Sequence, residues 1–477
     1  MDTPWGVVLI VVPLLGGIGC FLFRTKAGVL GLATSLAVMG ATAGLGWQLQ
    51  QMGPQRYAIG GWGAPLGIDL YADGLSLLML AVASVVGLGI SAYSFDYFGR
   101  DKSVHFWSLW LLLWAALNAL FLSADIFNLY VTLELLGLAA VALIALDGGA
   151  QALNSAMRYW LISQLGSLFY LLGIAFIYHG FGSLDIAVLA QRVVPSPPVL
   201  VALGVMSVGL LIKSALFPLH FWLPAAHAFS PAPVSALLSA LVVKAPFYIL
   251  LRLWLEVFPA VDGYVAQLLG TLGALAVLWG GILALCQQRL KLLIAYSTVS
   301  QLGYLFLAFP LGMSTAWKGG LYMLLSHAVA KAAMFMAAGN IQRLAGHDRI
   351  AELAPVAQRM PLTFIALALA GISLMGLPPS GGFIAKWLLL EASLESGQWW
   401  WGAILLVGGL LAAAYVFKII AHAFTQAEPG HDSQGGVARM EWTALLLAMA
   451  AVVLGLVAPW PLAVMEIGVP FGGIVCL

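Results

Sequence analysis

Charged residues and cysteines are scarce in this chain. Only 8% of its 477 residues are Asp, Glu, Lys or Arg, whereas roughly a quarter are charged in a soluble globular protein. A content this low excludes a soluble catalytic domain of ordinary composition. With 20 basic and 19 acidic residues the formal net charge is +1, so the chain also lacks the basic surplus that nucleic-acid binding requires.

The three cysteines, Cys20, Cys286 and Cys476, are scattered along the chain. They form neither a C-x-x-C motif nor the spacing of a metal site, so we expect no disulfide framework and no iron–sulfur cluster. The sequence therefore predicts a protein without a metal and without a cofactor of its own.

Hydrophobic residues make up 62% of the chain, and a helix needs ~20 apolar residues to cross a bilayer. The pattern predicts an all-α integral membrane protein with about fourteen transmembrane helices. Their approximate limits are 5–23, 28–47, 73–95, 105–122, 125–146, 158–179, 200–223, 233–254, 264–285, 290–309, 317–341, 361–395, 401–425 and 442–466.

The distribution of basic residues predicts the orientation, because basic loops resist export from the cytoplasm. Eleven lie in loops on the face that follows odd-numbered helices: Arg24, Lys26, Arg100, Lys102, Arg158, Arg289, Lys291, Arg343, Arg349, Arg359 and Arg439. Four lie on the opposite face: Arg56, Arg192, Arg252 and Lys318. We expect a multi-pass protein of a bacterial or archaeal-type cell membrane, with both termini on the non-cytoplasmic side.

The remaining five lysines fall inside predicted spans: Lys213, Lys244, Lys331, Lys386 and Lys418. An ionisable residue at the centre of a span costs ~2.5–3.5 kcal/mol on insertion scales, and the only clear carboxylate within a span is Glu134. Desolvation and mutual repulsion both favour the neutral amine. Groups that hold and release protons in this way are typical of a proton relay, although a lysine can also reach an interface or bridge carbonyl groups.

Polar residues extend these positions along helical faces. His327 precedes Lys331 by four residues, and His422 follows Lys418 by four residues. Each pair therefore lies on one side of its helix. Stripes of this kind line a seam in a helix bundle, where the alternative role is hydrogen bonding between helices.

Two spans contain helix breakers. Pro218 and Pro224 lie in KSALFPLHFWLP, and Pro378-Pro379 with Gly381-Gly382 lie in GLPPSGGFIAKW. Proline removes a backbone donor and clashes with the preceding turn, so we expect both helices to be discontinuous. Matched interruptions in two halves of a transporter point to inverted repeats and to the ion site.

Lysine spacing predicts the extent of such a repeat. Lys213 and Lys386 are 173 residues apart, and Lys244 and Lys418 are 174 apart. The shift is five helices, which reverses the crossing direction. The sequence thus predicts helices 1–3 in 1–104, a five-helix repeat in 105–255, a second, inverted repeat in 264–425, and helix fourteen in 442–477.

Several segments together resemble a known family. They are SADIFNLYVTLELLGLAAVALIAL, KSALFPLHFWLPAAHAFSPAPVSALLSALVVKAPFYILLR, RLKLLIAYSTVSQLGYLFLAF, SHAVAKAAMFMAAGNI and GLPPSGGFIAKWLLL. They resemble the antiporter-like membrane subunits shared by Mrp cation/proton antiporters, respiratory complex I and membrane-bound hydrogenases. Within that family the chain looks most like the D-type members of Mrp antiporters, since it ends soon after helix fourteen and carries Lys386 where one complex I relative would have a glutamate.

The resemblance implies roles for individual residues. Glu134 and Lys213 would form the pair at the start of a proton channel, Lys244 would follow, Lys331 with His327 would continue the path, and Lys386 would end it. His220 and His227 flank the break in helix seven and would gate it, or else bond exposed carbonyls. Lys418 and His422 are further candidates for gating or exit.

The function implied is proton translocation by one subunit of a multisubunit membrane complex, most closely an Mrp-type sodium/proton antiporter. The alternatives are a proton-pumping subunit of a redox complex and a non-conducting scaffold. A carrier for a small organic cation is a further class, but it would require acidic and aromatic groups at the midplane rather than lysines. We expect the partners to be other membrane subunits, protons, possible exchange cations such as sodium, and lipid. The chain itself is expected to be a transporter subunit rather than an enzyme.

Overall fold

The computed structural model describes residues 4–64, 67–258, 263–423 and 438–468. Twelve helices in this part of the chain are long and apolar enough to cross a membrane. Two further crossings are made by broken helices, so the described residues form the fourteen spans that the sequence predicts. The predicted ends of the second repeat, after Ala423, and of the C-terminal segment, after Gly468, lie outside the described residues.

We number the spans α1 to α14 in chain order, and the two broken spans have parts a and b. The spans are α1 Trp5–Leu22, α2 Ala27–Met52, α3 Gly74–Tyr97, α4 Arg100–Phe121, α5 Ile126–Ile144, α6 Ala150–Phe181, α7a Pro197–Lys213, α7b Leu223–Phe229, α8 Ala232–Glu256, α9 Gly263–Cys286, α10 Leu290–Phe306, α11 Ser314–Ala345, α12a Pro361–Met375, α12b Gly381–Glu395, α13 Trp399–Ala423 and α14 Ala438–Leu456. Short α-helices are Ile186–Arg192, Ala308–Leu311, Ala354–Arg359 and Pro459–Val464, and 3₁₀ turns are Arg24–Lys26, Ile59–Gly61, Ala145–Asp147 and Ile350–Glu352.

The spans differ in how deeply they are buried. α8 is buried over its whole apolar length, as is the most apolar stretch of α11, and α10 is nearly so. Only a minority of the residues of α1 and α2 are buried, and the two helices form one edge of the bundle. Because α8, α10 and α11 lie in the centre, an ionisable residue near the middle of α8 or α11 is remote from both lipid and water.

A β-hairpin marks one face of the bundle. β1 (Gln55–Ala58) pairs antiparallel with β2 (Asp69–Ala72). β2 is joined to the end of α4, because the Tyr71 N–H donates to the Leu122 carbonyl at 2.7 Å. On β1, Arg56 Nε donates to Asp69 at 2.6 Å, and its guanidinium also bonds Asp185. We call this side of the bundle the hairpin face and the opposite side the basic face.

The two predicted helix breaks are confirmed. α7a ends at Lys213, and the chain makes turns until α7b begins at Leu223. α12a ends before Gly376, whose φ of +82° favours glycine, and Ser380 then caps α12b by accepting the Phe383 N–H at 3.3 Å.

The two breaks differ in their position relative to the matched lysines. Lys213 is the last residue before one break, whereas Lys386 follows the other break, inside α12b. The matched lysine spacing therefore does not align the two interruptions. The inverted repeat and its boundaries stay a prediction.

Candidate functional site

Glu134 and Lys213 form an ion pair between α5 and α7a. Lys213 Nζ donates to Glu134 Oε1 at 2.7 Å, and Lys213 is 7% exposed. Lys213 is the last residue of α7a, where the unpaired carbonyl ends of a helix favour a positive charge. The carboxylate also accepts from Gln164 Nε2 at 2.9 Å and from the Ser167 hydroxyl. Breaking this helix therefore places an ammonium group beside the partly exposed carboxylate.

Lys244 lies at the middle of α8, next to a wide turn that the sequence did not indicate. Residues Leu238–Val242 form a π-helical segment, which leaves backbone groups displaced from the regular α-helical pattern. Lys244 Nζ donates to the Ser239 carbonyl of this segment. Its side chain is fully buried, and within the described residues no acidic side chain forms an ion pair with it.

A hydrogen-bonded link across α10 connects Lys244 with Lys331. The Ser239 hydroxyl bonds Thr298 Oγ1 at 2.9 Å, and Thr298 donates to the Ile294 carbonyl at 3.0 Å. Lys331 Nζ, on α11, donates to that same carbonyl at 3.0 Å. Lys331 thus contacts α10 directly, whereas Lys244 is linked to the same turn of α10 through Ser239.

The polar groups continue from Lys331 towards α12. Lys331 Nζ also donates to the Ser297 hydroxyl. One turn along α10, Gln301 Nε2 donates to Tyr415 Oη at 3.2 Å and to the Leu374 carbonyl at 3.3 Å. That carbonyl belongs to the last turn of α12a, so the line of polar side chains reaches the second helix break.

Lys386 binds the end of the broken helix. Its Nζ donates to the carbonyls of Leu374 and Met375 at 2.9 Å each. It also lies 4.8 Å from the centre of the Tyr304 ring. Lys386 lines a cleft of about 600 Å³ with exposed apolar residues such as Trp387 and Leu410. We call Glu134, Lys213, Lys244, Lys331 and Lys386 the lysine axis.

Three histidines lie close to this axis. His227 and His327 are buried, and neither ring nitrogen of either residue has a hydrogen-bond partner among the described residues. His227 stacks on Phe335 of α11 at 4.7 Å, and His220 lies in the break, stacked on Phe217 at 5.7 Å. Buried polar atoms are normally hydrogen-bonded, so these sites are suited to internal water.

Lys418 and His422 occupy a different place. Lys418 Nζ donates to the carbonyls of Leu285 and Gln287 at 2.7 and 2.6 Å, at the end of α9 on the basic face. His422 Nδ1 lies 2.7 Å from the Lys418 carbonyl oxygen. Lys418 therefore bridges carbonyls, the structural alternative that the sequence left open.

Lys291, which the sequence places in a loop, is buried in α10. Its exposure is 1%, and its Nζ donates to the Ser230 carbonyl at 2.5 Å, between α7b and α8. The run LKLLIAYS around it could have revealed this, because the apolar residues begin before the lysine. Arg252 was likewise counted in a loop and lies inside α8.

Glu134 is also not the only carboxylate on a span. Glu441, on α14, is 9% exposed and accepts from the Thr363 hydroxyl at 3.0 Å. It lies near the start of its helix on the basic face, remote from the polar contacts of the lysine axis described above. Its position in the first turn of α14 explains why the sequence read it as a boundary residue.

Comparisons with known proteins identify the family of the chain. A family model described as NADH:quinone oxidoreductase/Mrp antiporter, TM, matches residues 123–412. The chain is 37% identical to the N-type subunit of NADH-quinone oxidoreductase from Desulforudis audaxviator strain MP104C over 478 residues, which covers 94% of this chain and 95% of the relative. It is 29% identical to the D-type subunit of the Na(+)/H(+) antiporter from Bacillus subtilis strain 168, which covers 95% and 94%.

Among solved structures, a chain of the Mrp complex from Dietzia sp. DQ12-45-1b has a TM-score of 0.90, with 25% identity and 98% of each chain covered. The matched family region contains every residue of the lysine axis and both broken helices. The family resemblance noted in the sequence is thereby confirmed. The chain belongs to the NADH:quinone oxidoreductase/Mrp antiporter family and is an antiporter-like membrane subunit of the kind found in Mrp and complex I-like assemblies.

Proposed function

We propose that the chain translocates protons along the lysine axis, as one subunit of a larger membrane complex. The observation that carries this proposal is the central pair, Lys244 and Lys331, fully buried and linked through Ser239, Thr298 and the Ile294 carbonyl. Within the described residues neither lysine has a carboxylate partner. A buried ammonium group without a counter-charge loses its proton readily. Because the carbonyls of the link accept hydrogen bonds but cannot carry a proton onward, transfer between the two lysines uses water beside the hydroxyl groups of Ser239 and Thr298.

The ion pair at the start of the axis supplies a switch. At an effective dielectric constant near 20, two unit charges ~4 Å apart attract by about 4 kcal/mol. While Glu134 stays beside Lys213, this attraction holds the ammonium form. When the carboxylate moves or is neutralised, the buried Lys213 ammonium is destabilised and its proton is driven onward. No direct hydrogen bond joins Lys213 to Lys244 in the described part of the chain, so this step requires water.

His227 and His327 have unpartnered ring nitrogens in the part of the bundle that holds Lys244 and Lys331, and they are suited to hold water there. His220, in the break of α7, is a candidate gate. Lys386 is the terminal group, because it binds the carbonyls of α12a and lines a cleft that opens at the surface. The contacts of Lys418 favour a structural role, with His422 beside it.

Two assemblies remain candidates. In an Mrp-type complex, proton movement would be exchanged for sodium or another monovalent cation. In a complex I-like or hydrogenase-like complex it would be driven by electron transfer in other subunits. The 37% identity to the oxidoreductase relative, against 29% to the antiporter relative over similar coverage, favours the redox-driven alternative. Mass spectrometry of the co-purifying subunits distinguishes the two, because only one assembly contains redox subunits.

The test of the switch is Glu134→Gln in the whole complex. The amide keeps the shape of the side chain but removes the charge that stabilises the Lys213 ammonium. We expect proton transport to fall at least tenfold while subunit abundance stays unchanged. Transport is measured by proton flux in inverted vesicles and abundance by immunoblot.

The matched control is Glu395→Gln, an exposed carboxylate at the end of α12b, which should transport normally. Wild-type flux in Glu134→Gln at normal abundance would remove this pair from the mechanism.

A further inference from the structure

α8 carries a second line of polar residues, which runs from Lys244 towards the hairpin face. Tyr248, Arg252 and Glu256 follow Lys244 at intervals of four residues, so all four side chains lie on one side of the helix. Arg252 lies two turns beyond Lys244, about 12 Å along the helix axis at 1.5 Å per residue. This line leads from the centre of the lysine axis to one surface of the bundle, and the proposed pathway does not use it.

The two terminal nitrogens of the Arg252 guanidinium carry four hydrogens and have five acceptors within hydrogen-bond distance. Its two terminal nitrogens donate to both oxygens of Asp73, at 2.5 and 2.9 Å. They also donate to Glu256 Oε1 at 2.6 Å, to the Ser76 hydroxyl at 3.0 Å and to the Tyr248 hydroxyl at 2.9 Å. We call Asp73, Ser76, Tyr248, Arg252 and Glu256 the Arg252 cluster.

The acidic and hydroxyl members of the cluster also form hydrogen bonds with groups outside it or with the backbone. Asp73 is fully buried, and it also accepts the backbone N–H of Ser76 at 2.9 Å as the cap of α3. Tyr248 Oη donates its proton to the Phe121 carbonyl at 2.7 Å. The Tyr248 proton is donated to a carbonyl, which cannot pass it on, and Asp73 already accepts three hydrogen bonds, so both groups are held by existing contacts.

Aromatic rings close the remaining space. The guanidinium carbon of Arg252 lies 5.7 Å from the centre of the Tyr71 ring and 5.3 Å from that of Tyr248. Phe121 packs edge-on against Tyr248 with centroids 5.1 Å apart. Arg252 is 3% exposed and Tyr248 is 1% exposed, so the cluster fills the end of the bundle between α3, α4 and α8.

We propose that the Arg252 cluster closes the hairpin-face end of the path at Lys244, so that protons reaching Lys244 pass on to Lys331 rather than leaking out along α8. A relay group must both accept and release a proton, and a guanidinium is not deprotonated in proteins. The inference rests on proton movement through Lys244. The competing role for the same residues is an outlet, with Glu256 as the releasing group because its side chain is 20% exposed.

The first test uses the double variant Arg252→Gln/Asp73→Asn in the whole complex, reconstituted into vesicles. Both charges are removed together, so that neither is left buried alone. An imposed pH gradient is followed with a dye, with no electron donor and no exchange cation present. We expect the passive proton leak to rise at least threefold. An unchanged leak at wild-type abundance would overturn the proposal.

Two further variants separate closure from damaged packing. Adding Lys244→Met to the double variant should return the leak to the wild-type rate, because the path then lacks its proton-carrying group, and a leak that persists would contradict the closure. Arg252→Lys replaces the guanidinium by an amine that can release its proton, so it too should leak, and a variant as tight as the wild type would contradict the closure. The control is Lys318→Gln/Glu466→Gln, which removes another ion pair, 2.7 Å in length, on the hairpin face, and no leak is expected from it.

Glu256→Gln tests the competing outlet and does not require the buried pair to be disturbed. Closure predicts driven transport at the wild-type rate, whereas an outlet predicts a loss of tenfold or more, and that loss would overturn the proposal. The pathway and the closure are tested by different variants. Normal transport in Glu134→Gln would refute the proposed pathway, whatever the leak of the wild-type complex. Only the leak measurements and Glu256→Gln decide the closure.

Discussion

Lys244 and Lys331 each place an amine in a fully buried site that offers acceptors but, among the residues the structure describes, no negative charge. Lys244 meets the Ser239 carbonyl, and Lys331 meets the Ile294 carbonyl and the Ser297 hydroxyl. An ammonium at the centre of a membrane helix costs ~2.5–3.5 kcal/mol on insertion scales, and neutral acceptors offset only part of that cost. The neutral amine is therefore within reach at both positions, which a relay requires.

A substitution that preserves charge but abolishes titration tests this at Lys244. Arginine keeps the positive charge and adds donors, yet it stays protonated in proteins. We expect Lys244→Arg to lose at least nine-tenths of proton flux while the complex assembles, about as severely as Lys244→Ala. Flux is measured in inverted vesicles, and subunit levels are checked by immunoblot. Full activity in Lys244→Arg would show that a fixed charge suffices and would assign the titrating step to another lysine.

Single residues of the axis could be found from the sequence because a charge inside an apolar run has few explanations. The five lysines and Glu134 stood out on that ground alone. Lys291 did not, because it lies within the first turn of α10, where a lysine normally reaches water. The hydroxyl partners Ser239 and Thr298 were not singled out either, since serine and threonine are common between membrane helices and only their contacts distinguish them.

The breaks in α7 and α12 both create a helix C-terminus that stabilises a lysine side chain. Each ends a helix inside the bundle and sets its terminal carbonyls next to a lysine: Lys213 within the last turn of α7a, and Lys386 against the end of α12a. A helix C-terminus stabilises a cation. Proline and glycine made both breaks predictable, whereas the π-helical turn Leu238–Val242 contains neither and lies fully buried in the bundle core.

The end of α9 provides a contrasting use of the same chemistry. Lys418 binds the carbonyls of Leu285 and Gln287, so its charge holds a helix end and carries no proton in our proposal. Lys418→Arg should therefore retain at least half of wild-type flux, since guanidinium also donates to carbonyls. Lys418→Met should lower the stability of this helix end by ~1–3 kcal/mol, because two acceptors lose their donor.

The measurements are proton flux for Lys418→Arg and the thermal midpoint of the purified complex for Lys418→Met. Lys244→Arg, assayed in parallel, is the matched comparison, because it makes the same exchange at a relay position. A Lys418→Arg variant as inactive as Lys244→Arg would return Lys418 to the pathway, together with His422.

At the scale of the whole molecule, the bundle separates two faces of different charge. Removing Lys291 and Arg252 from the loop counts takes one residue from each side, so the excess of basic residues on the basic face persists. The number of helices follows from hydropathy. The central position of α8, α10 and α11 does not, because these helices are no more apolar than α1 at the edge of the bundle. The arrangement of the spans around that centre does not follow from hydropathy either, because nearly all of them are apolar on every side and period alone cannot show which side faces a neighbour.

Sidedness is the remaining property of the whole molecule, and the basic excess predicts that the basic face lies in the cytoplasm. In a variant whose three cysteines are replaced, single cysteines are introduced at Arg349, on the basic face, and at Tyr264, at the start of α9 on the hairpin face. Arg349 has a side chain 70% exposed and Tyr264 is 83% exposed, so both thiols can react.

We expect an impermeant maleimide added to intact cells to label Tyr264→Cys and not Arg349→Cys. Permeabilising the cells should make Arg349→Cys reactive, which shows that its thiol is accessible. Labelling of Arg349→Cys in intact cells would invert the orientation, and the Arg252 cluster would then close the path at Lys244 against the cytoplasm instead of the outer side.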